Sequence, residues 1–249
     1  GLGENHLTIT FERMKRKFGV EVEQIPLRIP YRETISGRAT YESRYIKQSG
    51  GRGQYAVASL EVEPLPHGGG YEFVDKIVGG AIPGNFIPSV DKGVQGAMNE
   101  GVLAGFPVVD VRVTLFDGKF HSVDSSDMAF QICASMGFKE ACRQAGLALL
   151  EPIMDVHIRV PDSMLGDIMG DINSKRGRIM GTEPDSRGYQ VVHAQAPMAE
   201  MARYAIDLRS ITGGRGTFTM EFSHYEQVPA HLQDKVAEQA RADAEAAKH

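Results

Sequence analysis

Histidine, serine and aspartate stand almost side by side at His121-Ser122-Val123-Asp124-Ser125-Ser126. Nucleophilic hydrolysis uses these side chains, with a base in hydrogen-bond reach of the hydroxyl and an acid orienting the base. Residues so close in sequence rarely reach that geometry, and the Asp124 to Asp127 run suits the cap of a following helix. Three readings stand: a capped helix start with an exposed histidine, a recognition loop, and, as a remote third, a small hydrolase using His121 and Ser125 or Ser126.

Gly50-Gly51-Arg52-Gly53 is glycine-rich but is no phosphate cradle, because no Lys-Ser/Thr pair follows and the flanks read as a hairpin. No G-x-x-x-x-G-K-[S/T] occurs in the chain, and the eight histidines have no H-E-x-x-H or C-x-x-C companion. Neither a catalytic residue, nor a metal site, nor a cofactor is therefore expected here. Around the glycines, Arg38, Arg44, Lys47 and Arg52 outnumber Glu42, and Tyr41, Tyr45 and Tyr55 interleave with them. That mixture suits phosphate contact with base or sugar packing, and glycine lets the backbone approach a partner closely. An ordinary solvated hairpin with its tyrosines packed on a sheet is the competing reading, and both stay open here. A second basic cluster, Lys175-Arg176-Gly177-Arg178, ends a helix, where it either complements the helix dipole or contacts phosphate.

The elements that must hold these residues follow from periodicity. Leu7, Phe11, Met14 and Phe18 keep helical spacing over 4–18, and Val20 to Glu23 reads as a strand. A helix and one strand cannot bury their own apolar faces, so the chain is expected to begin inside a domain. From Tyr31 to Leu150 strands precede helices. Ala39–Ile46 and Gln54–Glu63 form a hairpin, and Pro88 opens a helix bearing Val94, Ala97 and Met98. Val108–Phe116 alternates as a strand, Asp117-Gly118 turns, and a long helix follows with Met128, Ile132 and Met136 along one side. Cys133 and Cys142 lie roughly 13 Å apart on that helix, too far for a disulfide. From Glu151 the order is βαββαβ, the ferredoxin-like arrangement. The tail from Leu232 is rich in alanine and charge, helical by propensity, with little apolar face, and is expected to fray.

With 249 residues, 42% of them hydrophobic, the chain can bury a core in one to three domains. The formal charge of −5 argues against a protein that coats nucleic acid generally, though not against local basic patches. No apolar run is long enough to span a membrane and no basic-then-apolar leader opens the chain, so a cytoplasmic protein without membrane contact is expected.

An ordered set of motifs resembles elongation factor G, a translational GTPase. Gly1-Leu2-Gly3-Glu4-Asn5-His6-Leu7 is similar to a helix of its domain III, and Tyr31-Arg32-Glu33-Thr34-Ile35 to the segment leading into domain IV. Gln48 to Tyr55, Ile82-Pro83-Gly84, Val90-Asp91-Lys92-Gly93, Leu103 to Asp110, and His121 with Val123-Asp124-Ser125-Ser126 resemble further domain IV signatures. Leu150 to Met154, Arg176-Gly177, Pro197 to Met201 and Leu208-Arg209-Ser210 continue the likeness through domain V to about residue 226.

The resemblance implies an α+β chain. Residues 1–30 would be the C-terminal half of domain III, a partial ferredoxin-like unit. Residues 31–150 would be domain IV, an α/β sandwich like the second domain of ribosomal protein S5. Residues 151–226 would be a ferredoxin-like domain V, and 227–249 a tail. It implies a ribosome-binding monomer promoting tRNA–mRNA translocation, with GTP and Mg²⁺ held by an N-terminal domain not in this chain. The tip of domain IV, carrying Gln48, Ser49, Gly50, Gly51, Arg52, Gly53, Gln54, His121, Ser122 and Asp124, would meet tRNA and rRNA in the decoding region. Lys175, Arg176 and Arg178 would contact rRNA from domain V. Ser122, Leu2 and Asn5 depart from the family pattern. They leave as the alternative a paralogue acting in ribosome recycling or rescue.

Overall fold

A computed structural model describes residues 4–22, 28–48 and 53–246 of the chain. The chain divides into two compact units, one of Tyr31–Leu150 with Gln227–His249, the other of Glu151–Glu226 with Gly1–Pro30. Helix α1 spans Glu4–Phe18, and no residue of it with a described side chain is buried: Ile9 and Phe18 are 60% and 74% exposed. The strand expected from Val20 is absent through Val22, and Glu23 lies outside the described residues.

In the 31–150 unit the strands are β1 (Arg32–Ile35), β2 (Ala39–Lys47), β3 (Gln54–Pro64), β4 (Tyr71–Asp75) and β5 (Val111–Lys119). β2, β3, β5 and β4 form one sheet in that order, with β4 parallel to β5 and the other pairs antiparallel. β4 is too short and too polar at its ends to be read from sequence alone. The expected turn at Asp117-Gly118 is instead a continuation of β5. The register shifts there so that Ser59 faces Asp117 while Leu60 faces Leu115, leaving Phe116 as the extra residue of a bulge.

Two helices, α2 (Ile87–Glu100) and α3 (Asp127–Ala145), complete the layer, α3 lying on β2 and β3 with α2 beside it. The face of α3 that packs is Ala129, Phe130, Cys133, Ala134, Phe138, Ala141 and Cys142. The side that carries Met128 and Met136 is not the packed one: these two are 58% and 50% exposed. Small residues win because the backbones come close. A Cβ on Gly93 of α2 would sit 2.2 Å from the Gln131 carbonyl oxygen, and one on Gly137 2.8 Å from Ser43 Cβ.

Two carboxylates staple the loops of this unit. Glu33 is fully buried and accepts backbone N–H bonds from Val102, Leu103, Ala104 and Phe106 at 2.7–3.1 Å. Asp110, held at φ +58°, accepts from the amides of Gly68 and Gly70 at 3.1 and 2.9 Å. The signatures around Tyr31 to Ile35 and Leu103 to Asp110 thus carry structural side chains.

Strand β6 runs Leu147–Pro161; its first four residues pair with β1, and Ile153–Pro161 pairs with β8 (Tyr189–Pro197). The Glu151–Glu226 unit adds α4 (Leu165–Ser174), β7 (Arg178–Asp185), the one-turn α5 (Met198–Met201), α6 (Tyr204–Thr212) and β9 (Thr217–Gln227). Its strand order is β9-β6-β8-β7, the ferredoxin-like order that the βαββαβ pattern predicts. Val156, Ile158 and Val160 alternate inward to meet Val192, Ala194, Ile168, Ile172 and Leu208.

The tail does not fray where it is described. Helix α7 (Ala230–Ala246) packs Leu232, Val236, Ala237 and Ala240 against Tyr31, Leu103, Phe106 and Leu149. Gln233 fixes it, accepting from the Leu149 amide at 3.3 Å and donating to the Val228 carbonyl at 3.1 Å. The stripe is short and small in side-chain volume, so its periodicity is weak in sequence and visible only against its partner surface.

Candidate functional site

The two loops singled out by their residue types meet at one end of the 31–150 unit. Strand pairing from Ala39↔Val62 to Lys47↔Gln54 carries the hairpin to Gln48 and Gly53, and β5 delivers the other loop at His121. Ser49, Gly50, Gly51 and Arg52 lie outside the described residues. Gly53 and Gln54 are described, and Gly53 is where the loops touch. Its amide donates to Asp124 Oδ1 at 3.1 Å, and a Cβ there would lie 3.1 Å from Asp124 Cγ and 3.2 Å from the Lys47 carbonyl oxygen. Glycine is the residue that permits this approach.

Two more bonds tie the loops. The Tyr55 amide donates to the Asp124 carbonyl at 3.0 Å, and Ser125 Oγ donates to the Tyr55 carbonyl at 2.7 Å. Ser125 Oγ also accepts from the His121 amide at 2.9 Å. Within the Asp124 to Asp127 run expected to cap the helix, the cap is Ser126, whose hydroxyl accepts from the Ala129 amide at 3.2 Å. With Ser125 donating to a backbone carbonyl and Ser126 capping α3, neither hydroxyl is hydrogen-bonded to the imidazole. The hydrolase reading is therefore corrected: this constellation is a loop latch.

His121 stands half exposed above the latch, its ring 6.1 Å from that of Tyr55. Its Nδ1 accepts from the amides of Val123 and Asp124 at 3.3 and 3.2 Å and lies 3.4 Å from Asp124 Oδ2. Ser122 is exposed. On the hairpin, Tyr41 and Tyr45 pack against the core, as an ordinary sheet would have them. Arg38 is bonded to Glu61 and Arg44 to Glu42, both at 2.6 Å. Lys47, 5.4 Å over the Tyr45 ring, is the basic side chain nearest the tip among the described residues.

The second basic cluster divides. Arg176 lies in the left-handed region at φ +57° and turns inward. Its guanidinium grips Glu151 with two bonds of 2.7 and 2.8 Å and Glu200 with one of 2.9 Å. These bonds hold its pKa above even the ordinary arginine range, bonding to Glu151 outweighing desolvation. Lys175 pairs with Asp171 and Asp207 at 3.0 Å each, with 16% of its side chain exposed. Gly177 follows because a Cβ there would lie 2.5 Å from Ile172 Cγ2. Arg178 alone points a largely free guanidinium outward, 69% exposed and 3.9 Å from Glu226. Among the described residues no group of His, Cys, Asp and Glu could hold a metal ion, and no helix is long and apolar enough to cross a membrane.

The hairpin-bearing α+β unit and the ferredoxin-like unit that follows it each match a family of translation-factor domains. Residues 27–146 match the family described as elongation factor G, domain IV, and residues 148–236 the elongation factor G C-terminus. The chain belongs to the elongation factor G family. It is 55% identical over 236 residues, 95% of its length, to elongation factor G of Aquifex pyrophilus, covering 34% of that protein. It is 54% identical over 241 residues, 97% of its length, to an elongation factor G-like protein of Thermotoga maritima, covering 35% of it. A crystal structure of a Thermus thermophilus protein superposes with a TM-score of 0.82 at 42% identity, over 96% of this chain and 35% of that one. The chain thus spans about a third of the length of the curated relatives it matches.

Proposed function

We propose that this chain is the ribosome-facing part of a translational GTPase that promotes tRNA–mRNA translocation. The unit of residues 31–150 would place its tip in the decoding region. The observation that carries this reading is the latched pair of loops. Asp124 and Ser125 bind the end of the hairpin to the His121 loop, beside a glycine-rich apex and a half-exposed imidazole. A pair of loops bonded to each other, with the cationic Lys47 beside them, fits a nucleic-acid surface better than a small-molecule pocket. Of the Lys175-Arg176-Arg178 cluster in the other unit, Arg178 is the cation open to rRNA phosphate, while Lys175 and Arg176 are held in ion pairs within the fold. GTP and Mg²⁺ would belong to a preceding GTPase domain.

The test is made in a protein that joins this chain to such a domain. His121→Ala should slow translocation about tenfold or more while ribosome-stimulated GTP hydrolysis stays near wild type, since the tip acts far from the nucleotide. Arg52→Ala should weaken ribosome association with a smaller salt dependence, as expected when a phosphate contact is lost. Equal losses in translocation and GTP hydrolysis would overturn the assignment of the tip.

A second reading, a paralogue that acts in ribosome recycling or rescue, is favoured by Ser122 at the tip and by the likeness to a relative named elongation factor G-like. Offering the same protein pre-translocation and post-termination ribosomes, and measuring which it resolves, separates the two.

A further inference from the structure

The imidazole of His121 has two nitrogens, and the geometry treats them differently. Nδ1 faces two backbone donors, the amides of Val123 at 3.3 Å and Asp124 at 3.2 Å. An atom receiving two N–H groups must offer a lone pair, so in the neutral ring the proton belongs on the other nitrogen. The Asp124 carboxylate pulls the opposite way, because Oδ2 lies 3.4 Å from Nδ1 and could accept a proton held there. The two arrangements exclude each other. The amides prevail in the neutral ring because both are nearer and both can only donate, so a bare Nδ1 makes two bonds where a protonated one would make one and face two N–H groups. Nε2 has no hydrogen-bond partner among the described residues, and half of the side chain is open to solvent.

We infer that His121 is held as its Nε2–H tautomer and that the tip therefore presents a neutral hydrogen-bond donor, aimed at an acceptor oxygen of RNA. Ser125 and Asp124 are positioning residues in this arrangement. Ser125 Oγ receives the His121 amide and donates to Tyr55, fixing the backbone from which the ring projects. Asp124 places its own amide under Nδ1 and its carboxylate on Gly53. A donor fixed before binding loses little rotamer freedom on contact, which favours a short-lived, geometrically selective interaction. The RNA half of the inference rests on the function proposed above; the tautomer does not.

Two measurements separate them. In the chain itself, nitrogen-15 spectra of the neutral His121 ring should place the proton on Nε2 in the wild type. Ser125→Ala should shift the population toward a mixture. A wild-type ring carrying its proton on Nδ1, or an even mixture, overturns the tautomer. For the contact, wild type and two isosteres are compared in binding to ribosomes programmed with mRNA and tRNA. His121→Gln sets an amide N–H near the Nε2 position and should bind within about twofold of wild type. His121→Asn sets it near Nδ1 and should bind about tenfold more weakly. Equal affinities for the two variants, with both folded by their amide spectra, overturn the donor role. A wild-type chain with no affinity for the programmed ribosome overturns the function proposed above and the RNA contact with it, whatever tautomer the spectra give.

Discussion

A carboxylate without solvent survives in a fold when its lone pairs are used, and Glu33 meets that condition with four backbone N–H donors. Its backbone joins the same loop, donating to the Pro107 carbonyl and accepting from Val109. Glu33→Gln keeps one oxygen but turns an NH₂ group toward two of the donors. We expect it to destabilise the 31–150 unit by about 2–4 kcal/mol. The check is a urea titration alongside hydrogen exchange of the Val102 to Phe106 amides, which should lose protection first. Unchanged protection there would show that the staple is dispensable. At the tip the same residue-scale logic separates side chains by role: Asp124 and Ser125 bind loop to loop, while His121 and Ser122 face outward. Sequence places Asp124 among the contacts and leaves the cap to the Asp124 to Asp127 run as a whole, because spacing cannot tell which hydroxyl points back into the fold.

Glycines in one helix can have opposite roles, and α2 offers a clean pair. Gly93 lies against the Gln131 carbonyl, where a Cβ would sit at 2.2 Å, whereas Gly96 faces open space. Alanine is the better helix former by about 1 kcal/mol, so Gly96→Ala should stabilise by about 0.5–1 kcal/mol. Gly93→Ala gains the same propensity but must push α2 off α3, and should cost a net loss of about 1–3 kcal/mol. Opposite shifts of the denaturation midpoint are expected; shifts of the same sign would mean that the helices do not pack backbone to backbone. The buried face of α3 also governs its thiols. Burial raises the pKa of Cys133 and pushes Cys142 up to about 12, with the Glu33 charge adding to the latter. At about pH 8 both should therefore react with a thiol reagent only as fast as the unit opens. Labelling at the rate of a free thiol in native protein would contradict the packing.

Over the whole molecule, acid stability is set by carboxylates whose pKa values lie below ordinary. Asp155 is lowered by its bond from Gln195, Asp185 by the Arg159 guanidinium, and Glu63 by Arg112. Each binds its proton less readily folded than unfolded, so the unfolded state takes up protons first on acidification. The stabilisation is complete above the ordinary values of 3.8 and 4.5 and fades as pH falls through the lower folded values. These groups are partly exposed and individually weak. The expected outcome is a melting temperature level between about pH 5 and 8, declining below about pH 4, less steeply in high salt. A melting temperature that rises on acidification would reverse the sign argument.

Sequence alone determined what depends on period and local chemistry. The βαββαβ order of residues 151–226, the hairpin around Gln48 to Gln54, and the helix opened by Pro88 all follow from side-chain spacing and from residues that start or stop an element. The lack of a phosphate loop and the two loops worth attention were legible in the same way. Tertiary structure decided matters that depend on what lies opposite. It turned Met128 and Met136 outward because glycine and alanine let α3 approach its neighbours more closely than methionine could. It gave α7 a surface to cover, directed Lys175 and Arg176 inward to Asp207 and Glu151, and left Arg178 outside. It also chose which nitrogen of His121 faces the amides. A residue's type limits the bonds it can make, but which of them form is fixed by partners far away in the chain, and only folding brings those into reach.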